Sequence, residues 1–167
     1  NRSIQVSPGN YKGYYNRGLL FLKQHEARKA LESFNTALSI YPYPKALIGR
    51  GSAYHLLGEL PKAVADAQQV LANDPNNSKA HFILGNCYND QNRLDEALQE
   101  YNTCLELNPD EADYFFKRAI VFGKRQDFVM CQADLDQCIA INPLHHEAYY
   151  WRGVAKVNLH GDPCSDL

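Results

Sequence analysis

Hydrophobic positions recur with the period of an α-helix along most of the chain. In one segment, Leu94, Ala97, Leu98, Tyr101 and Leu105 follow the i, i+3, i+4, i+7, i+11 spacing of a single helical face. No segment shows the strict alternation of apolar and polar residues that is typical of a half-buried strand. The pattern therefore predicts an all-α protein with at least nine helices.

The helical segments repeat with a nearly constant period. Five prolines are separated by 34, 33, 34 and 34 residues, and five small residues are separated by 33, 34, 34 and 34 in a second register. The prolines are Pro8, Pro42, Pro75, Pro109 and Pro143, and the small residues are Gly18, Gly51, Gly85, Ala119 and Gly153. Because glycine inside a helix costs about 1 kcal/mol relative to alanine, its recurrence predicts close helix–helix approach.

Each repeat contains two apolar stretches and therefore predicts two antiparallel helices of roughly 14 residues. Gly58 and Asn92, which tolerate left-handed backbone, are predicted between the helices of their repeats, and the prolines are predicted to end the second helices. The predicted repeats are residues 11–43, 44–77, 78–111 and 112–145, with an incomplete repeat at 146–167.

The first ten residues also carry the repeat pattern. Ile4, Val6 and Pro8 match the spacing of Leu38, Ile40 and Pro42 one period later. Residues 1–10 are therefore predicted to be the end of a preceding second helix. Both ends of the chain would then fall inside a helical hairpin.

The repeat resembles the tetratricopeptide repeat, a 34-residue helix-turn-helix with a small residue in the first helix, an alanine and an aromatic in the second, and a closing proline. The third repeat keeps most of this pattern at Leu84, Gly85, Tyr88, Ala97, Tyr101 and Pro109. The fourth departs from it at Ala119, Cys131 and Leu135. The resemblance implies an α-solenoid of antiparallel hairpins that forms a right-handed superhelix, whose first helices line a concave, peptide-binding face.

The family's geometry also implies which first-helix residues face that groove. One phase carries an apolar ladder, the next phase is mixed, and the third carries three lysines followed by two acids. In that order the sets are Tyr15, Ile48, Phe82, Phe116 and Tyr150; Leu19, Ser52, Asn86, Ile120 and Val154; and Lys12, Lys45, Lys79, Asp113 and Glu147. Two simpler interpretations stay open. The apolar ladder would be only the consensus of the fold, since Tyr is frequent at that position across the family. The charges would be only those of an ordinary solvated helix face.

A specific ligand class of the family is disfavoured. Some members bind the C-terminal carboxylate of heat-shock chaperones through two lysines, two asparagines and an arginine spread over three repeats. The corresponding positions keep only Lys79 in the first three repeats and only Asn86 in the last three.

Residue types that could bear catalysis or hold a metal do not form a recognisable site. The five cysteines lack a framework spacing, and Cys104, Cys131 and Cys138 replace alanine at positions predicted to be packed. His145 and His146 would point about 100° apart on a helix. His25 and His160 are expected in turns between helices. Without a phosphate-binding glycine loop or a nucleophile elbow, we expect neither enzymatic activity nor a cofactor.

The formal charge of −2 and the pI of about 6.3 make nucleic acid and anionic membranes poor partners. No apolar run approaches the roughly 20 residues that span a bilayer. The cysteine usage favours a reduced, cytoplasmic setting.

The leading hypothesis is therefore a protein–protein interaction scaffold that binds a peptide or partner segment in the concave groove. One alternative is a structural spacer or self-association module, which would associate through the cut repeat ends. Another is an accessory repeat region of an enzyme encoded elsewhere in the parent chain. The partner's identity is not predicted, since groove residues vary freely without changing the fold.

Overall fold

The computed structural model describes residues 9–160, a range that contains nine α-helices and no strand. The helices are α1 (Tyr11–Lys23), α2 (Ala27–Ile40), α3 (Pro44–Leu56), α4 (Leu60–Leu71), α5 (Ser78–Asp90), α6 (Leu94–Leu107), α7 (Ala112–Lys124), α8 (Phe128–Ile141) and α9 (His146–His160). The all-α prediction is thus confirmed. The predicted helix end at residues 1–8 and the last part of the incomplete repeat, residues 161–167, lie outside the described residues.

In the four repeats for which the structure describes both helices, the turn between them contains a residue with left-handed backbone. The positive φ values are 59° at His25, 75° at Gly58, 58° at Asn92 and 63° at Gln126. Glycine and asparagine adopt this conformation most easily, which is why their placement in the sequence predicted two of the turns. His160, which was also expected in such a turn, is instead helical and is the last described residue of α9.

The repeat prolines follow the second helices, as predicted. α2, α4, α6 and α8 end two to four residues before Pro42, Pro75, Pro109 and Pro143, respectively. Proline cannot donate a backbone hydrogen bond and disfavours helical backbone in the residue before it. Each proline therefore separates one predicted repeat from the next.

The chain divides into two compact units, residues 1–87 (unit 1) and 88–167 (unit 2), with the boundary inside α5. In unit 1, α2 packs against α1 and α3, and α3 packs against α4; in unit 2, α7 packs against α6 and α8, and α8 packs against α9. Each unit has its own core of buried side chains. The core of unit 1 includes Ala30, Phe34, Ala37, Ala46 and Ala53, and that of unit 2 includes Phe116, Ala119, Cys131, Leu135 and Cys138.

Phe34 explains why two glycines of unit 1 are required. Its ring is fully buried between α1 and α3. A Cβ atom at Gly18 would lie 2.6 Å from Phe34 Cε1, and a Cβ at Gly49 would also overlap the ring. Large and small residues therefore interdigitate across adjacent helices, as dense core packing requires.

One period later, the same packing problem is solved with the volumes exchanged. Ala67 occupies the phase of Phe34, and Ile83 occupies the phase of Gly49. Both are buried, and Ile83 Cδ1 reaches to 3.3 Å from the position of a Cβ on Gly51. Beside Gly18, the space is therefore filled by Phe34 from the second helix of the same repeat, α2. Beside Gly51, it is filled by Ile83 from the first helix of the following repeat, α5.

Candidate functional site

In unit 1, the predicted groove residues form a stripe along each first helix. Lys12, Tyr15 and Leu19 on α1 are three and four residues apart, a spacing that places them on one face. In each stripe of unit 1, the lysine is exposed, whereas the other two side chains are half-buried. The other stripes are Lys45, Ile48 and Ser52 on α3, and Lys79, Phe82 and Asn86 on α5.

An aromatic cluster surrounds the first stripe. The rings of Tyr15 and Tyr43 meet edge to face at 5.2 Å, and Tyr11 contacts both Tyr41 and Tyr43, with ring centroids 4.8 and 5.2 Å away. Burial raises the pKa of the Tyr15 phenol, and the neighbouring Tyr43 raises it further. Tyr15 is therefore neutral at physiological pH and offers a ring edge together with a hydroxyl.

In unit 2, the stripes carry acids, and their apolar members differ in exposure. Asp113 and Glu147 are exposed, Ile120 is half-buried, and Tyr150 is 68% exposed. Phe116, expected to face the groove, is only 5% exposed and belongs to the core. His145 covers it, with ring centroids 4.5 Å apart.

His145 also connects Asp113 to the start of α9. Its Nδ1 accepts a hydrogen bond from the Ala148 backbone N–H at 3.3 Å, and its Nε2 lies 3.5 Å from Asp113 Oδ1. The same N–H also donates to the His145 backbone oxygen at 3.0 Å, so both of these polar groups of His145 contact the first turn of α9. Asp113 therefore has a polar neighbour within its own unit.

A repeated arginine contact, which the sequence reasoning missed, joins adjacent helices. Arg50 donates to both carboxylate oxygens of Asp66 at 2.6 and 2.8 Å and to Asn35 Oδ1 at 3.0 Å. It therefore bridges α3 to α4 of its own hairpin and to α2 of the preceding one. Bidentate contacts of this type are the strong form of an ion pair.

Unit 2 contains the same bridge. Arg118 donates to both oxygens of Asp134 at 2.7 Å and to Asn102 Oδ1 at 2.7 Å. The sequence contains a pattern that indicates this bridge. In four repeats an arginine stands immediately before the repeat's small residue, and in three of them a short polar residue follows the arginine by 16 positions. The arginines are Arg17, Arg50, Arg118 and Arg152, and the polar residues are Ser33, Asp66 and Asp134.

The four cysteines of the described region, Cys87, Cys104, Cys131 and Cys138, are buried thiols that form no disulfide. Burial raises the pKa of the Cys104 thiol to about 12, with a smaller contribution from Glu100, and that of Cys138 to about 11, with a contribution from Asp113. Cys131 is shifted in the same direction by burial. These thiols are therefore packing residues rather than nucleophiles.

We predict that Cys104 and Cys138 in the folded protein resist iodoacetamide at pH 8, because the thiolate is the reacting form. Peptide mapping by mass spectrometry should show both labelled only after denaturation. Since the folded-state pKa of Cys104 exceeds its usual value of about 8.5, its contribution to stability should be lost as pH rises from about 8.5 towards about 12. Labelling of the native thiols as fast as that of an unfolded peptide would contradict their burial.

Within residues 9–160, no group of three or more His, Cys, Asp or Glu side chains is placed to hold a metal ion. Among the same residues, no helix is long and apolar enough to cross a membrane.

Comparison with known proteins identifies the repeat. A family model described as Tetratricopeptide repeat matches residues 15–78 and 57–112, more than half of the chain. Human Tetratricopeptide repeat protein 6 is 26% identical over 118 residues, which cover 71% of this chain but only 23% of that protein.

Two solved structures show the same fold. The crystal structure of TTC0263, a thermophilic TPR protein in Thermus thermophilus, matches with a TM-score of 0.80 and 18% identity over 90% of this chain and 83% of that one. YrrB, described as a TPR protein with an unusual peptide-binding site, matches with a TM-score of 0.65 and 23% identity over 85% of this chain and 74% of that one. Because the family model matches more than half of its length, the chain belongs to the tetratricopeptide repeat family.

Proposed function

We propose that this chain is a protein-interaction scaffold that binds an extended segment of a partner protein on the first-helix stripes. The observation that carries the proposal is the composition of those stripes. In unit 1, each one combines an exposed lysine with a half-buried apolar side chain three residues later. Such a surface offers apolar contact area and charge at once, as the centre and the rim of protein interfaces do.

Charge suggests what a partner segment contains. The unit 1 stripes carry Lys12, Lys45 and Lys79, whereas the unit 2 stripes carry Asp113 and Glu147. Acidic residues of the partner would pair with the lysines, and basic residues would pair with the two acids. Complementary charges of this kind set the register and the association rate more than the affinity.

The family relationship supports a binding role, and YrrB is described as having a peptide-binding site. Phe116 is left out of the proposed contact surface because it lies in the core of unit 2. The surface of unit 2 is then provided by Ile120 and Tyr150 together with the two acids.

We expect Phe82→Ala to raise the dissociation rate of a partner segment about fivefold or more, since truncating an aromatic anchor commonly costs more than 1 kcal/mol. Lys79→Glu should mainly slow association and reduce its dependence on salt. A partner is first isolated with the wild-type chain as bait, and both rates are then measured by surface plasmon resonance.

Matched substitutions on second helices provide the controls. Val129→Ala removes an exposed apolar side chain from α8, and Arg28→Glu makes the same charge change as Lys79→Glu on α2. Neither should alter binding. A partner held equally well by wild type and by a Phe82→Ala, Lys79→Glu double variant would exclude the first-helix surface.

Self-association is a second candidate, favoured by the exposed apolar side chains of α9 and the preceding loop. Leu144, Tyr150, Trp151 and Val157 all lie at the surface. Sedimentation velocity over a range of protein concentrations distinguishes the two functions. A dimer weakened by Tyr150→Ser and Val157→Ser would support self-association, and a monomer at every concentration would exclude it.

A further inference from the structure

Unit 2 contains an apolar pocket of about 350 Å³ at the C-terminal end of α7. Its walls come from α7, from the beginning of α8 and from α9, and they include Ile120, Phe128, Trp151 and Val154. The volume falls within the range of 300 to 1,000 Å³ that is usual for ligand pockets. We call it the Gly123 pocket, lined by Ala119, Ile120, Gly123, Lys124, Phe128, Cys131, Trp151, Val154 and Ala155.

The missing side chain of Gly123 leaves this space open. The equivalent positions in the other first helices carry Leu22, His55, Asn89 and Val157. In the preceding first helix, the Asn89 side chain points at the next one, where its Oδ1 accepts a hydrogen bond from Lys124 Nζ at 2.7 Å. Gly123 has no side chain to make the corresponding contact with α9.

The charged group at the edge of the pocket is the ammonium group of Lys124. Lys124 is exposed, and its Nζ donates to Oδ1 and to the backbone oxygen of Asn89, which are both neutral acceptors. An ammonium group has three donors, so the two hydrogen bonds leave one for a further acceptor. An anion beside the pocket would neutralise a charge that Asn89 does not.

We propose that the Gly123 pocket accepts one large apolar side chain of a bound partner segment, and that the residue next to it in the segment is acidic and pairs with Lys124. The inference rests on the proposed function, because an anchor pocket presumes a bound segment. It adds a sequence preference, an aromatic or large aliphatic residue beside Asp or Glu, that the first-helix stripes do not specify.

The pocket contains its own reporter, because Trp151 is the only tryptophan of the chain. The probe is the capped peptide acetyl-Phe-Glu-amide, which has an apolar ring and one side-chain carboxylate but no charged terminus. We expect a saturable change in Trp151 fluorescence. Acetyl-Ala-Glu-amide should bind at least about tenfold more weakly, as loss of a buried anchor implies. Acetyl-Phe-Gln-amide should bind about two- to fivefold more weakly, as loss of a partly exposed ion pair implies.

Two variants test the walls of the pocket. Gly123→Leu introduces the residue found at the equivalent position in α1, and its Cβ would meet only Cys131 Sγ within 4 Å, at an ordinary 3.6 Å. It should therefore fold but lose probe binding by about tenfold or more. Lys124→Gln should abolish the preference for Glu over Gln. Gly153→Ala, at a position with open space around it, is the control that should bind normally.

Binding that Gly123→Leu leaves unchanged, or that does not distinguish Phe from Ala, would overturn the proposal. So would a fluorescence change that follows protein concentration without probe, which would identify a second copy as the occupant. The stripes of unit 1 are tested separately by Phe82→Ala and Lys79→Glu. A partner lost in those variants but kept by Gly123→Leu would leave the proposed function intact and exclude the pocket.

Discussion

Replacing Arg118 by leucine should destabilise unit 2 by about 3 to 5 kcal/mol, because it leaves a buried carboxylate without its partner. The side chain of Asp134 is 5% exposed, and Arg118 contacts both of its oxygens at 2.7 Å. The same substitution removes the hydrogen bond to Asn102 on α6. Urea unfolding, followed by Trp151 fluorescence and by circular dichroism, measures the loss.

A second arginine–aspartate pair in the same unit provides the control for Arg118→Leu. Arg152 lies 2.9 Å from Asp136, but that carboxylate is 45% exposed and keeps its hydration when the arginine is removed. Arg152→Leu should therefore cost no more than about 1 kcal/mol. Equal losses for Arg118→Leu and Arg152→Leu would show that burial of the carboxylate does not decide the cost.

A double variant separates charge from packing. If the unpaired charge causes the loss, Arg118→Leu combined with Asp134→Leu should recover most of the stability, since an apolar pair can replace a buried ion pair at little cost. A double variant as unstable as Arg118→Leu alone would assign the effect to lost arginine packing instead.

Combining Phe34→Ala with Gly49→Ile exchanges the volumes of the two sites and should cost less than the sum of the two substitutions made separately. Phe34→Ala is expected to cost about 3 to 5 kcal/mol by leaving a cavity. Gly49→Ile should cost about 1 to 3 kcal/mol or more, because its Cβ overlaps the fully buried Phe34 ring. The double variant reproduces the Ala67 and Ile83 arrangement of the following repeat and should be more stable than Phe34→Ala.

The measurement is a double-mutant cycle in urea. Residues in contact commonly couple by about 0.5 to 3 kcal/mol, and we expect the upper part of that range here. Phe34→Ala combined with Gly153→Ala, a glycine with open surroundings, should instead be additive within about 0.5 kcal/mol. Additive costs for Phe34→Ala and Gly49→Ile would mean that the two sites do not share one packing volume.

The sequence by itself determined the helices and the turns between them. These features depend on local properties: the apolar period, the left-handed tolerance of Gly58 and Asn92, and the inability of proline to continue a helix. The burial of the repeat alanines and cysteines also followed from their phase. The register of the lysines and acids on the first helices was visible for the same reason.

Only the tertiary structure decided which groove candidates are exposed. Phe116 and Tyr150 have the same repeat phase, yet His145 covers the first while the second is largely open. The difference arises because burial depends on what a neighbouring segment places over a residue, and the residue's own helix does not specify that.

The contacts between helices could not be predicted from the sequence, for a related reason. Arg50 and Arg118 recur visibly, but their pairing with a buried aspartate and with an amide on the preceding hairpin depends on three helices meeting at one point. Likewise, Gly123 is one more helical glycine in the sequence, and it leaves a pocket only because α7, α8 and α9 enclose the space beside it.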